Sequence, residues 1–243
     1  MVGLLVWKEP RHGGRQKQMT VRERNIFRMR CLQIEILRGR HTPDIILRQR
    51  MKRVGTRLRK LGITRVVLPE ENAGLTLPEG LQPVSTLALR QALAADWVQK
   101  ELAEKKISAA SARVAVCGTR LSGEVVRTVT ELSLRHRYVL VDLPYGGDEL
   151  GRRLRKEYGV SLLVNPDKAQ LDEAETLVLF DARGELKRKN PVVIPLYDEA
   201  ALMPQLILPP VLEEKLPKGV DRVQMLAALL QAGAIRAGVD LTF

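Results

Sequence analysis

Gly118, Thr119, Arg120 and Gly123 fall in the octet CGTRLSGE, a polar turn between a short apolar run, Val114 to Cys117, and a helical pattern. A second apolar run, Tyr138 to Val141, ends on Asp142. Two further runs end at Asn165 and Asp181. Where parallel strands end side by side, such residues form a rim that can hold a ligand by charge and hydrogen bonding. Gly118, Thr119, Arg120, Gly123, Asp142, Asn165 and Asp181 are therefore the candidate ligand-binding set. The plainer alternative is that Asn and Asp after strands serve as turn formers and helix caps.

The spacing invites comparison with dinucleotide-binding turns, in which three glycines let backbone amides approach a pyrophosphate and an acid about 20 residues on takes a ribose hydroxyl. Asp142 lies near that spacing, but only Gly118 and Gly123 of the glycines are present. The mononucleotide P-loop also fails, because Gly123 is followed by Glu124 and Val125 instead of Lys and Ser or Thr. Arg120 would bind an anion by its own charge, beside a helix N-terminus. A small anionic ligand fits these residues better than an intact dinucleotide, and no cofactor is identified.

No catalytic residue stands out. Cys117 sits where a helix N-terminus would lower a thiol pKa, yet no histidine adjoins it, and a buried core thiol is the expectation. His136, between Arg135 and Arg137, is expected at the surface. Two cysteines without a CxxC, and His12, His41 and His136 without ligand spacing, exclude a recognisable metal site.

The elements that position these residues follow from periodicity. Arg113 to Asp142 reads as strand, turn, helix, strand, the unit of a parallel sheet. From Ser85 onward helices and strands alternate: a helix to about Lys105, a helix over 148–158, a strand over 160–164, a short helix near 168–174, and strands over 176–180 and 191–196. That alternation implies a Rossmann-like three-layer α/β core with a mainly parallel sheet. The prolines at 195, 204, 209, 210 and 217 predict extended pieces, followed by a helix over 221–231.

The N-terminal part reads differently. Gly3 to Trp7 is a strand and Lys8 to Arg24 a basic loop. Asn25 to Leu37 alternates with period 2 but slips phase at Cys31 and Leu32, which predicts a bulged strand pairing antiparallel with the first. Thr42 is expected to cap a helix over 42–61, with Leu47, Met51, Val54, Leu58 and Leu61 in one stripe and Gly62 as its stop. Ile63 to Leu68 is a further strand, expected to be parallel. The predicted division is a basic N-terminal β-hairpin and helix subdomain over 1–82 and the Rossmann-like domain over 83–243.

Charge divides the chain in the same place. Residues 1–65 hold 18 Lys and Arg against 4 Asp and Glu, whereas the remainder holds 22 against 24. The whole excess, out of a net +12, therefore lies in the first quarter. Arg48, Arg53, Arg57 and Arg59 on the helix, with Lys8, Arg11, Arg15, Lys17, Arg22 and Arg24 in the loop, are a candidate polyanion-binding surface. No aromatic residues interleave with them for base stacking. An acidic protein partner or plain solvation explains the charge equally well. No window approaches the length of a membrane span, and the N-terminal apolar run is too short for a signal-peptide core, so a cytoplasmic protein is expected.

Three functions remain in play. The first is a non-catalytic or degenerate Rossmann-like module that binds a small anionic ligand or a protein partner. The second is nucleic-acid or polyanion binding by the basic region. The third is an atypical nucleotide-dependent oxidoreductase or transferase, for which the sequence supplies no nameable base or nucleophile.

Overall fold

The computed structural model describes residues 1–10, 17–39, 41–72, 75–182 and 189–243. They fall into two compact units: Met1–Thr86 with Leu208–Arg236, and Leu87–Ile207 with Ala237–Phe243.

Unit 1 is built on β1 (Val2–Lys8), β2 (Met19–Ile26), β3 (Met29–Leu37), α1 (Asp44–Lys60), β4 (Arg65–Val67) and β5 (Gln82–Pro83), with α7 (Pro210–Lys215) and α8 (Arg222–Gln231) contributed by the distant tail. The sheet order is β2-β3-β1-β4-β5. β1 pairs with β3 in parallel, Leu5 opposite Ile34, and not antiparallel as the sequence suggests. The antiparallel partner of β3 is β2, which occupies the later part of the segment that reads as a loop. Residues 11–16 of that segment, including Arg11 and Arg15, lie outside the described residues.

The hairpin turns at Phe27 and Arg28, both at positive φ (46° and 70°), the two-residue turn that matches the twist of paired strands. Its pairing with β3 runs without a bulge through Arg24–Cys31 and Glu23–Leu32. The phase slip has another cause. Cys31 and Leu32 are both buried because both faces of β3 are covered, with Cys31 and Gln33 buried on one and Leu32, Ile34 and Ile36 on the other.

One face of the sheet packs Leu5, Leu32, Ile34 and Ile36 against Met51, Val54 and Leu58 of α1. Leu61 is exposed instead of completing that stripe. The N-cap of α1 is Pro43, and Thr42 instead accepts a hydrogen bond through Oγ1 from the Gly39 N–H at 2.8 Å. Gly62 does take the left-handed conformation (φ 68°) that ends the helix. α8 is tied to the end of β4, where Leu68 N–H donates to Gln224 Oε1 at 2.9 Å and Asp221 N–H donates to Leu68 O at 2.8 Å. The tail therefore packs into unit 1, whereas the division predicted from sequence places it in the second domain.

Unit 2 carries α2 (Leu87–Ala92), α3 (Ala94–Glu104), β6 (Arg113–Cys117), α4 (Gly123–Arg135), β7 (Tyr138–Asp142), α5 (Gly147–Tyr158), β8 (Leu162–Val164), α6 (Lys168–Asp172), β9 (Thr176–Leu179) and β10 (Val192–Pro195). The helix expected over 85–105 is two helices that meet at Leu93. All five strands are parallel, in the order β10-β9-β6-β7-β8. Numbered within the unit this is 5-4-1-2-3, the first five strands of the Rossmann order 3-2-1-4-5-6, with the reversal between β6 and β9. Unit 2 is a Rossmann-like α/β fold.

The strands alternate between two apolar faces. Val114, Val116, Val139 and Val141 pack with Trp97, Val129, Leu132, Leu150 and Leu154 from α3, α4 and α5. Ala115, Cys117, Leu140, Leu177 and Leu179 form the other face, covered among the described residues by Leu171 and Ala174 at α6. Among the described residues the two helical layers are thus unequal, three helices on one side against a single short helix on the other.

Candidate functional site

The rim of unit 2 takes shape from strand register. Cys117 is opposite Asp142, and Gly118 N–H donates to Asp142 O at 3.1 Å, so the turn after β6 starts against the end of β7. A Cβ on Gly118 would lie 3.1 Å from Leu143 Cδ2 and 3.7 Å from Asp181 Oδ2, a fit that any side chain would crowd. On the β8 side, Asn165 N–H donates to Val141 O at 2.8 Å and Asn165 Oδ1 accepts from Leu143 N–H at 3.3 Å. Asn165 adopts a positive φ of 49°, which Asn tolerates better than most residues. On the β9 side, Thr119 donates to Asp181 Oδ2 from both its backbone N–H (2.7 Å) and its hydroxyl (2.8 Å).

Asp181, Thr119, Gly118, Asp142 and Asn165 therefore follow one another along the carboxyl edge of β9, β6, β7 and β8. The Thr119–Asp181 contact lies at the reversal of strand order, the place where open α/β sheets form their crevice. Thr119, Arg120 and Asn165 are exposed, Asp142 and Asp181 half-buried, and Gly118 buried.

The helix N-terminus beside this edge already has internal acceptors. Ser122 caps α4, its Oγ accepting from Val125 N–H at 3.3 Å. The Glu124 carboxyl is held below its ordinary pKa, first by a hydrogen bond from its own backbone N–H and then by one from the Ser122 hydroxyl, with Arg127 and Arg120 adding smaller electrostatic help. Gly123, at the first position of α4, has open space where a Cβ would stand, with nothing within 4 Å.

This differs from a dinucleotide turn in two ways. Arg120 stands two residues after Gly118, where the middle glycine would be. Asp181 takes the Thr119 amide that a phosphate oxygen would otherwise use. The edge can thus offer a guanidinium for an anion and carboxylates for hydroxyl groups, with fewer backbone donors for a pyrophosphate.

Two residues singled out in the sequence have clear places. Cys117 is buried in the sheet core as expected, and forms no disulfide. His136 is not at the surface: it is 4% exposed, with Nδ1 3.0 Å from Ala109 O. Sequence alone misses this because the flanking Arg135 and Arg137 are both exposed while the ring between them turns inward at the end of α4. Gly146 and Gly147 carry no sequence signal of their role either. A Cβ on Gly147 would come within 2.7 Å of Val164 Cγ1, and one on Gly146 within 2.9 Å of Leu121 Cδ2, so the pair lets α5 start tight against β8 and the β6–α4 turn.

On α1, Arg48, Arg53, Arg57 and Arg59 are exposed. Arg53 donates to Gln18 Oε1 at 2.6 Å, whereas Arg48, Arg57 and Arg59 make no ion pair among the described residues. No cluster of His, Cys, Asp and Glu suited to a metal occurs among the described residues, and no helix among them is long and apolar enough to cross a membrane.

No protein-family profile matches the chain, and no curated protein matches its sequence. Among solved structures, one similar chain is shikimate 5-dehydrogenase from Listeria monocytogenes, crystallised with shikimate and NAD. The identity is 9% and the TM-score 0.28, over 64% of this chain. The match spans 61% of that dehydrogenase's length.

Proposed function

We propose that unit 2 is a degenerate Rossmann-like module that binds a small anionic, hydroxyl-bearing ligand of mononucleotide type at its carboxyl edge. The observation that carries this is the line of polar strand ends at the reversal of strand order, with Arg120 in place of a glycine. Arg120 takes the anion, standing it off from a backbone whose Thr119 amide is already engaged. Asp142, at the end of the second strand, accepts from ligand hydroxyls. The edge is assigned a binding role, with no oxidoreductase or transferase step attached to it.

Calorimetric titration with AMP and with NAD tests the proposal. AMP should bind at least as tightly as NAD. Arg120→Ala and Asp142→Asn should each weaken AMP by about tenfold, the scale of one lost hydrogen bond to a charged group. Absence of saturable AMP binding, or binding unaffected by both substitutions, would overturn it.

A second proposal concerns unit 1, and the exposed, unpaired Arg48, Arg57 and Arg59 support it. The α1 surface binds a polyanion through phosphates. With three or four cations engaged, affinity for a single-stranded oligonucleotide should fall with salt at a log–log slope of about −2 to −3. Replacing Arg48, Arg53, Arg57 and Arg59 with Gln should remove most of that slope. Binding insensitive to salt would sink this proposal without touching the first.

A further inference from the structure

A cavity of about 830 Å³ opens at the amino ends of β6, β7 and β8, the edge of the unit 2 sheet opposite to the rim described above. Its size lies within the range of small-molecule sites. Tyr138, Leu140 and Leu163 line it, and they share one sheet face: Leu140 and Leu163 are register partners, and Tyr138 lies two residues before Leu140 on the same strand. Leu163 is 43% exposed and Tyr138 equally so, an apolar floor open to a ligand.

Polar groups stand at the margins. The Arg137 guanidinium lies 5.4 Å from the centroid of the Tyr138 ring and makes no ion pair among the described residues. Arg113, in contrast, is paired with Glu173.

His136 belongs to the same cavity wall. Its Nδ1 faces the Ala109 carbonyl oxygen, which can only accept, so Nδ1 carries a hydrogen. In the neutral ring Nε2 is then a bare acceptor, and it has no hydrogen-bond partner among the described residues. A buried acceptor left unsatisfied is uncommon and calls for a partner.

We propose that this cavity is a second ligand site, for a small aryl carboxylate that carries a ring hydroxyl. The ring lies on Leu140 and Leu163, the carboxylate meets Arg137, and the hydroxyl donates to His136 Nε2. Because Nε2 is closed to solvent, the ligand must part the wall to reach it. Tyr138, exposed at the start of β7, moves aside to admit the ligand, while Arg137 stays to hold the carboxylate. Leu140 and Leu163 select for the apolar ring, and the Arg137 guanidinium selects for one negative charge.

The test uses the full chain, with 4-hydroxybenzoate, benzoate and phenol titrated by calorimetry and the His136 ring followed by nitrogen-15 NMR. 4-Hydroxybenzoate should bind about tenfold more tightly than benzoate, which lacks the hydroxyl, and more tightly than phenol, which lacks the charge. Its binding should shift the His136 Nε2 resonance. His136→Asn keeps a donor for the Ala109 carbonyl and removes Nε2, so it should erase the difference between 4-hydroxybenzoate and benzoate. Leu163→Trp, at a half-exposed position that tolerates bulk, should block all three. Asp142→Asn, at the other edge, should leave the binding of these three compounds as it is while weakening AMP, which keeps this test apart from that of the carboxyl-edge site. Equal binding of benzoate and 4-hydroxybenzoate, an undiminished difference in His136→Asn, or no saturable binding would overturn the proposal.

Discussion

Thr119 gives both its backbone N–H and its hydroxyl to a single oxygen, Oδ2 of Asp181, at 2.7 and 2.8 Å. The contact joins the end of β9 to the turn after β6, across the reversal in strand order. It closes with an internal carboxylate a donor that Rossmann folds commonly use for a ligand. Asp181→Ala should lower the stability of unit 2 by about 1.5–3 kcal/mol, the range for hydrogen bonds to a charged group. It should also raise affinity for inorganic phosphate by freeing the Thr119 amide. Thermal denaturation and phosphate titration of the variant check the two effects separately.

Gly55 lies on the buried side of α1, where a Cβ would fall 2.6 Å from Pro78 Cβ and 2.9 Å from its Cγ. Gly55→Ala gains roughly 1 kcal/mol of helix propensity but forces a ring with little freedom, an overpacking cost of about 1–3 kcal/mol. The net effect should be destabilising. Gly151, in α5, is a fair contrast, since its Cβ would meet Val164 Cγ2 at an ordinary 3.4 Å. Gly151→Ala should stabilise by about 0.5–1 kcal/mol. Denaturant unfolding of the two variants should move the midpoint in opposite directions.

Cys31 is 1% exposed on β3, and burial pushes its thiol pKa up to about 11. Its thiolate fraction at pH 8 is on the order of one in a thousand, so it should resist disulfide reagents in the native chain. Both Cys31 and Cys117 should react promptly once the chain is unfolded in guanidinium. Fast labelling of Cys31 in the native protein would show that β3 opens readily.

Burial holds His136 below its ordinary pKa of 6.5; the Ala109 carbonyl opposes this less strongly, and Arg135 adds a smaller push downward. The unfolded chain therefore binds a proton that the folded chain refuses. Stability contributed by the neutral ring is present above pH 6.5 and is lost as pH falls below it. The melting temperature should decline as the pH is lowered through 6.5, and His136→Asn should flatten that part of the profile. A variant that kept the same slope would place the titrating group elsewhere.

The central unit of the second sheet is legible in the sequence because its signals agree. Apolar runs of strand length flank a helical period, and these appear as β6, α4 and β7 in parallel register, Ala115 opposite Leu140. The first sheet is legible in parts only. Phe27 and Arg28 make a turn with positive φ without glycine, asparagine or proline to announce it, so most of β2 reads as loop. The adjacent burial of Cys31 and Leu32 mimics a bulge because a strand covered on both faces loses the alternation that one-sided strands show.

What the sequence determined by itself was local: which segments are strands or helices in unit 2, which residues close each strand, and where the positive charge lies. These follow from nearest-neighbour chemistry, in side-chain period, turn residues and composition. The tertiary structure decided which strands pair and in what direction, that the tail residues 208–236 join unit 1, that Asp181 turns onto Thr119, and that His136 is drawn inward. Each of those depends on residues far apart in the chain competing for the same buried surface and the same hydrogen-bond donors, and no local pattern records the outcome of that competition.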